Sequence, residues 1–307
     1  MGHRVDLSVI IPVAPGADAG PAIAAVSRTL PRGTTAELMT VTGRHPTRQR
    51  NLAAMRARGD ALYFLDHDAI AAPGTIARIL AGLGRNAVVA SGGPNMSARP
   101  RNPFEARAGE AIASAAGSPA VADRYRPAGA ERDANERSLI LCNLAVRRRV
   151  FTAAGGFDPR LYPNEENELL NRLLAGNARA RHVPDAPVAK PRPASLAAFA
   201  RESFRYGRGR AEQMWIGFRS SDAGLLWAGL GGMLGALMNP LAVMRLAAWS
   251  AGFAAGMAAG WRKRWIRLQP SAVTLRRYDV LRGRAPRLIE YAILNIGSLS
   301  KGGYASA

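Results

Sequence analysis

Residues 46–68 read PTRQRNLAAMRARGDALYFLDHD, and the fold class turns on this stretch. From Gln49 to Arg58 the composition is helical, with Leu52 and Met55 about one turn apart. Ala61 to Leu65, ALYFL, is a short apolar and aromatic run that reads as a buried strand. It ends directly in Asp66-His67-Asp68. A helix feeding a buried strand that stops at two acids belongs to an open α/β sheet, where ligands bind beyond the carboxyl ends of strands.

The pattern extends both ways. Upstream, LSVIIPV (Leu7 to Val13) reads as a strand, followed by Ala, Pro and Gly and a helical pattern around Ile23, Val26 and Leu30. AELMTVT (Ala36 to Thr42) reads as a second strand ending at Gly43. Downstream come a helix from Pro73 to Leu83 and a strand at Ala87 to Ala90, which Gly92-Gly93-Pro94 breaks. Ser97 to Arg137 is rich in Ala, Arg, Pro and Gly and predicts a helix with a mobile loop over the sheet. Order returns with a strand at Leu139 to Val146, a helix-like RRRVFTAAGGF, and PNEENELLNRLLAGN, whose apolar stripe is Leu169, Leu170, Leu173 and Leu174. A short strand near His182-Val183, the basic KPRPAS and a helix SLAAFARESFRYGRGR follow.

The chain has 307 residues, with Lys+Arg 42 against Asp+Glu 22, a net charge of +20 and 48% hydrophobic residues. Whole-chain disorder is excluded, because there is a core's worth of apolar side chains. A single cysteine, Cys142, excludes a disulfide scaffold and a multi-cysteine zinc site, and reads as a small buried hydrophobe. The excess charge, mostly arginine, suits nucleic acid, anionic lipid or a phosphorylated small molecule. No zinc-finger spacing, RNP-like motif or heptad-backed basic region supports the first, so no nucleic-acid partner is expected.

From Leu225 to Met244 there is no charged residue over 20 positions, and after Arg245 another 16 run uncharged from Leu246 to Trp261. Length permits one membrane span, while Gly229, Gly231, Gly232, Gly235 and Asn239-Pro240 suit a bent segment or helices lying in the interface. Buried helices of a soluble subdomain fit the same composition. The expected organisation is an α/β domain over 1–215, hydrophobic membrane-associating helices over 216–268 and a basic tail over 269–307. In fold class this is α/β: a mostly parallel sheet flanked by helices, with a C-terminal helical hydrophobic region.

Two acidic clusters carry the chemistry. Asp66 and Asp68 offer hard oxygen ligands where a Mg²⁺ or Mn²⁺ ion can bridge carboxylate and diphosphate oxygens. Taken alone, Asp-x-Asp also reads as a turn or a helix cap. Glu165, Glu166 and Glu168, with Asn164 and Asn167, open a helix, where carboxylates are ordinary surface residues or a candidate general base.

Jointly, SVIIPV, the PTRQRNLAAMRARGDALYFLDHD run, LCNLAVRRRVFTAAGGFD and NEENELLNRL resemble the family 2 glycosyltransferases with the GT-A fold, over about residues 7–215. The resemblance implies that Asp66 and Asp68 bind the metal and the nucleotide diphosphate. It puts the general base at Glu166, with Glu165 and Glu168 as rivals. It places Pro12, Arg48, Arg50 and Asn51 on the nucleotide side and Asn143, Gly155 and Gly156 on the acceptor side. The resemblance also implies that Arg205, Arg208 and Arg210, in FRYGRGR, close over the diphosphate, and a plain basic loop meeting anionic headgroups fits the same residues equally well. The sequence departs from the family in lacking an Asp-rich segment after the second strand and the Gln-x-x-Arg-Trp motif of processive members. The implied activity is inverting, metal-dependent transfer from a nucleotide-diphospho-sugar donor to a saccharide or lipid-linked acceptor in cell-surface polysaccharide synthesis. The implied setting is an anionic membrane surface, the cytoplasmic face of the inner membrane. A non-catalytic membrane-associated scaffold or polyanion binder on the same fold is the alternative.

Overall fold

Strands and helices alternate through the computed structural model, which describes residues 5–114, 119–216, 240–263 and 272–295. The first half contains β1 (Leu7–Val13), α1 (Gly20–Thr29), β2 (Ala36–Thr42), α2 (Pro46–Arg56), β3 (Ala61–Leu65), β4 (Ile70–Ala71), α3 (Thr75–Leu83), β5 (Val88–Gly92), β6 (Asn95–Ser97) and α4 (Pro103–Ala113). The second contains α5 (Pro119–Ala122), β7 (Arg132–Ala134), β8 (Asn143–Arg147), α6 (Arg148–Ala153), α7 (Glu165–Leu173), β9 (Arg179–His182), β10 (Val188–Lys190), α8 (Leu196–Ile216), α9 (Pro240–Lys263), β11 (Ala272–Val280) and β12 (Arg287–Asn295).

Nine described strands form one sheet in the order β12-β11-β2-β1-β3-β8-β5-β9-β7, and β4-β10-β6 form a small second sheet. The α/β class expected from sequence is the class observed. The pairing is mixed, however, where a mostly parallel sheet was expected. β1 is parallel to β2 and β3, and β5 to β9, whereas β8, β7, β11 and β12 all pair antiparallel. Two features account for this: β8 returns between β3 and β5 antiparallel to both, and the outer strands β7, β11 and β12 each run against the neighbour they join.

Both faces are covered, so alternate residues of each central strand enter different cores. In β3, Tyr63 and Leu65 join the core beneath α1 and α3, while Leu62 and Phe64 join the one on the α2 and α7 side. Phe64, Phe151 and Phe157 pack there as an aromatic trio, their ring centroids 5.0–5.4 Å apart.

The last two strands correct the expectation of a basic tail over 269–307. β11 pairs with β2, and β12 closes the edge. Val273, Leu275 and Val280 are buried, while the intervening arginines give the stretch its tail-like composition. Of the apolar stretch, Leu225 to Asn239 lies outside the described residues. Its described part, α9, lies against α8, and glycines let the backbones meet. A Cβ on Gly207 would overlap the Trp249 carbonyl, and one on Gly252 the Phe204 carbonyl. The segment Pro240–Ala259 is long and apolar enough to cross a membrane, with only 17% of it buried.

Candidate active site

A cleft of about 560 Å³ opens at the carboxyl ends of β1 and β3, walled by α7, α8 and the segment around Arg124. Pro12 and Val13 at the end of β1 form one side, and Asp66 at the end of β3 forms the floor. Arg44, Arg50, Arg124, Lys190, Arg192, Arg205 and Arg245 line it against four carboxylates, those of Asp66, Glu165, Glu166 and Glu202. The cleft therefore carries surplus positive charge and suits an anionic ligand.

The floor is a chain of ion pairs. Arg50, projecting from α2, reaches Asp66 Oδ1 at 2.7 Å and Glu165 Oε1 at 2.9 Å. Lys190 Nζ lies 2.7 Å from Asp66 Oδ2 and 3.1 Å from Asp68 Oδ1. Burial by itself would raise the Asp66 pKa, but Lys190 and Arg50 outweigh it and hold the carboxyl well below the usual range. Lys190 likewise keeps its charge against the cost of burial, because Asp66 and Asp68 raise its pKa.

The start of α7 sets the opposite wall. Asn164, at a left-handed φ of 83°, turns the chain into the helix, and the Thr47 hydroxyl donates to Leu161 O at 2.6 Å and to Glu165 Oε1 at 3.1 Å. Glu165 is 1% exposed, and burial together with the neighbouring Glu166 pushes its carboxyl up to about 7 against the pull of Arg50. Glu166 lines the cleft, its carboxylate 3.7 Å from the Arg124 guanidinium. Arg124 is itself fixed by donating to Arg137 O at 2.6 Å, and to Glu136 O and Asn167 Oδ1.

The structure thus brings Pro12, Arg50, Asp66, Glu165, Glu166 and Arg205 to one cleft. Asp68 joins through Lys190. The other expected site residues lie elsewhere, each with a physical reason. Asn51 spends its amide on both backbone groups of Phe157, at 2.7 and 3.0 Å. Gly155 and Gly156 form the turn that Asn51 holds, at φ of 76° and 73°, and a Cβ on Gly156 would lie 2.9 Å from Asn51 Oδ1. Asn143 is fully buried, accepting from Tyr63 Oη at 2.8 Å and donating to Ala186 O at 2.8 Å and Pro94 O at 3.2 Å. Arg48 is buried within α2, off the cleft wall. Glu168 pairs with Arg172 at 2.6 Å, Arg208 with Glu212 at 3.4 Å, and Arg210 donates to Gln213 at 2.9 Å. Burial pushes the Cys142 thiol up to about 12, which leaves it an inert hydrophobe.

Six charged cleft residues were not expected as site residues: Arg44, Arg124, Lys190, Arg192, Glu202 and Arg245. Lys190 and Arg192 stand in KPRPAS, whose charge was visible but whose position was not. Arg124 lay in the stretch expected to be a mobile loop.

The residues present do not fit the expected Mg²⁺ or Mn²⁺ as arranged. Both Asp66 oxygens are engaged by cationic side chains, and among the described residues no group of three His, Cys, Asp or Glu gathers to hold an ion.

No family model matches the sequence, and no curated protein matches it. Among solved structures the chain is similar to the mannosyltransferase PcManGT from Pyrobaculum calidifontis in complex with GDP-Man and Mn²⁺, at 15% identity and a TM-score of 0.52, covering 87% of this chain and 89% of that one. It also aligns with S. aureus TarS 1-349, at 11% identity and a TM-score of 0.42 over 93% of this chain and 99% of that one. A further match is TarS 1-349 in complex with UDP, at 11% identity and a TM-score of 0.43 over the same shares. The chain shares its fold with the mannosyltransferase.

Proposed function

We propose that this chain is an inverting sugar transferase of the family 2 type, using a nucleotide-diphospho-sugar donor and a saccharide or lipid-linked acceptor. The observation that carries the reading is the meeting of Glu166, the strand-end Asp66 and seven cationic side chains in one cleft beyond β1 and β3. Arg205, on α8, and Arg192 bring positive charge to the diphosphate, and the Arg205 guanidinium is 5.8 Å from the Tyr162 ring centroid. Glu166 takes the proton of the acceptor hydroxyl as its oxygen attacks the anomeric carbon. Direct displacement from the face opposite the diphosphate inverts that carbon. Arg124 positions the base, and Glu165 with Arg50 ties the base helix to the floor.

The setting we propose is the cytoplasmic face of the inner membrane, in cell-surface polysaccharide synthesis. It is supported by the outward apolar surface of α9 and by the chain's net charge of +20, which attracts anionic lipid.

The test is transfer or hydrolysis of a panel of nucleotide sugars, with and without Mn²⁺. Glu166→Gln is expected to cut turnover by about 100-fold or more, the lower range for a general base. Wild-type turnover in both Glu166→Gln and Asp66→Ala, or no turnover of any donor by the wild type, would sink the reading.

A further inference from the structure

We propose that Lys190 is the cation this chain keeps at its strand-end acid pair, and that it binds and releases the nucleoside diphosphate with Lys190 and the cleft arginines in place of a divalent ion. The inference rests on the sugar-transfer reading of the same cleft. Asp66 accepts from Arg50 on one oxygen and from Lys190 on the other, both at 2.7 Å, and Asp68 lies 3.1 Å from the same ammonium. A divalent ion gathers about six oxygen ligands. To reach Asp66 it would have to expel two cations that already neutralise the carboxylate.

The backbone builds this arrangement. Lys190 is the last residue of β10, which runs antiparallel to β4 with Ala189 opposite Ile70, two residues beyond Asp68. On its other side β10 runs parallel to β6, Lys190 opposite Ser97, and the Ala98 N–H donates to the Lys190 carbonyl at 2.9 Å. The acid pair, in the turn between β3 and β4, and its ammonium, at the end of β10, are therefore brought together by the pairing of β4 with β10 in the small sheet. Sequence separation conceals this, since Lys190 is 124 positions from Asp66.

The charge is also where the reaction needs it. As the acceptor oxygen bonds to the anomeric carbon, the bond from that carbon to the β-phosphate oxygen breaks. Its electron pair stays on the departing nucleoside diphosphate, and the acceptor proton goes to Glu166. Negative charge grows on the β-phosphate oxygen, in a cleft that Lys190 lines. An ammonium carries three N–H donors, and the Asp66 bond uses one. A lysine so held is a point charge for phosphate.

The test is calorimetric titration of the full chain with GDP and UDP, in EDTA and in Mn²⁺. The wild type is expected to bind one of them with affinities within about threefold in the two buffers. Lys190→Ala is expected to bind at least about tenfold more weakly in EDTA, and Lys190→Arg, which keeps a cation, to stay within about threefold of wild type. A wild-type affinity that collapses in EDTA and returns with Mn²⁺ would overturn the proposal and leave sugar transfer standing. So would Lys190→Ala binding as tightly as wild type in EDTA. Absence of binding in both buffers would overturn the proposal together with the donor-site reading.

Discussion

Two carboxylates sit at opposite ends of the parallel strands β2, β1 and β3, and each meets two cationic side chains. Glu37, near the start of β2, accepts from the Ser8 hydroxyl at 2.7 Å and from the Arg58 backbone at 2.6 Å, and it pairs with Arg58 at 3.0 Å and Arg277 at 3.3 Å. Asp66, just past the end of β3, pairs with Arg50 and Lys190, both at 2.7 Å. Glu37 is 2% exposed, and its partners close over it; the side chain of Asp66 keeps 21% exposure and opens onto a cleft with more cations than anions. The same pairing therefore does two jobs. Sealed and charge-balanced, it locks β11 onto the sheet; left open beside surplus positive charge, it prepares a binding floor.

Breaking the sealed end should have the larger effect on stability. Glu37→Ala takes the acceptor from the Ser8 hydroxyl and the Arg58 N–H and one of two carboxylates from Arg277, and a buried donor left without its partner costs about 1–3 kcal/mol. The expected outcome is a large fall in melting temperature with near-normal turnover per folded molecule. Replacing both groups, Glu37→Leu with Arg277→Met, should recover the share of that loss due to Arg277, because the desolvation penalty goes with the pair. If Glu37→Ala melts like wild type, the sealed end is no lock.

A pH series sharpens the open end. The raised carboxyl of Glu165 means that, between its ordinary value near about 4.5 and its folded value of about 7, the folded chain holds a proton that the unfolded chain has lost. Its contribution to stability is therefore complete below the lower value and is lost as pH rises through the upper one. Asp66, held low, has the opposite sign: its contribution is present at neutral pH and lost as pH falls below the usual aspartate range. Glu165→Gln should accordingly gain on the wild type in melting temperature as pH rises from 5 to about 7, then run parallel. A difference independent of pH would contradict the raised value.

The smallest effects separate two arginines one turn apart on α8. Arg205 lines the cleft, whereas Arg208 pairs with Glu212 outside it. Arg205→Ala should raise the KM for donor several-fold. Arg208→Ala should leave KM unchanged, its effect falling on stability through the buried Glu212. Equal KM values for the two variants would erase the distinction.

Most of what positions the cleft was legible in local sequence. Strands Leu7–Val13, Ala36–Thr42 and Ala61–Leu65 fall where composition placed them, because a strand buried on both faces must be apolar nearly throughout. Asp66 and the Glu165-Glu166 pair were visible for a related reason: acids at a strand's end and a helix's start interrupt apolar patterns at meaningful positions. Lys190 and Arg124 were not visible as site residues, since their roles depend on which segments the topology brings beside β3 and α7. β11 and β12 were hidden by their charge. Arg277 reads as tail composition, yet it is largely covered and pairs with Glu37, a pairing between residues 240 positions apart that no local window contains.

The seating of α9 on α8 makes the C-terminal third of this chain a poor candidate for trimming. α8 gives the cleft Phe199, Glu202, Ser203, Arg205 and Tyr206 from one side, while its glycine face takes α9 on another. α9 returns Arg245 to the same cleft, 5.8 Å from the Tyr125 ring centroid, and donates to Ile112 O at 3.2 Å. A version cut after α8 to improve handling in solution would lose a cleft cation, bare the groove at Gly207 and drop the strand that seals Glu37. Modular engineering, in which the apolar helix is swapped as a detachable anchor, has no natural seam here. The workable exchanges are substitutions on the outward face of α9, at positions such as Val243 and Met257, which leave the helix in place.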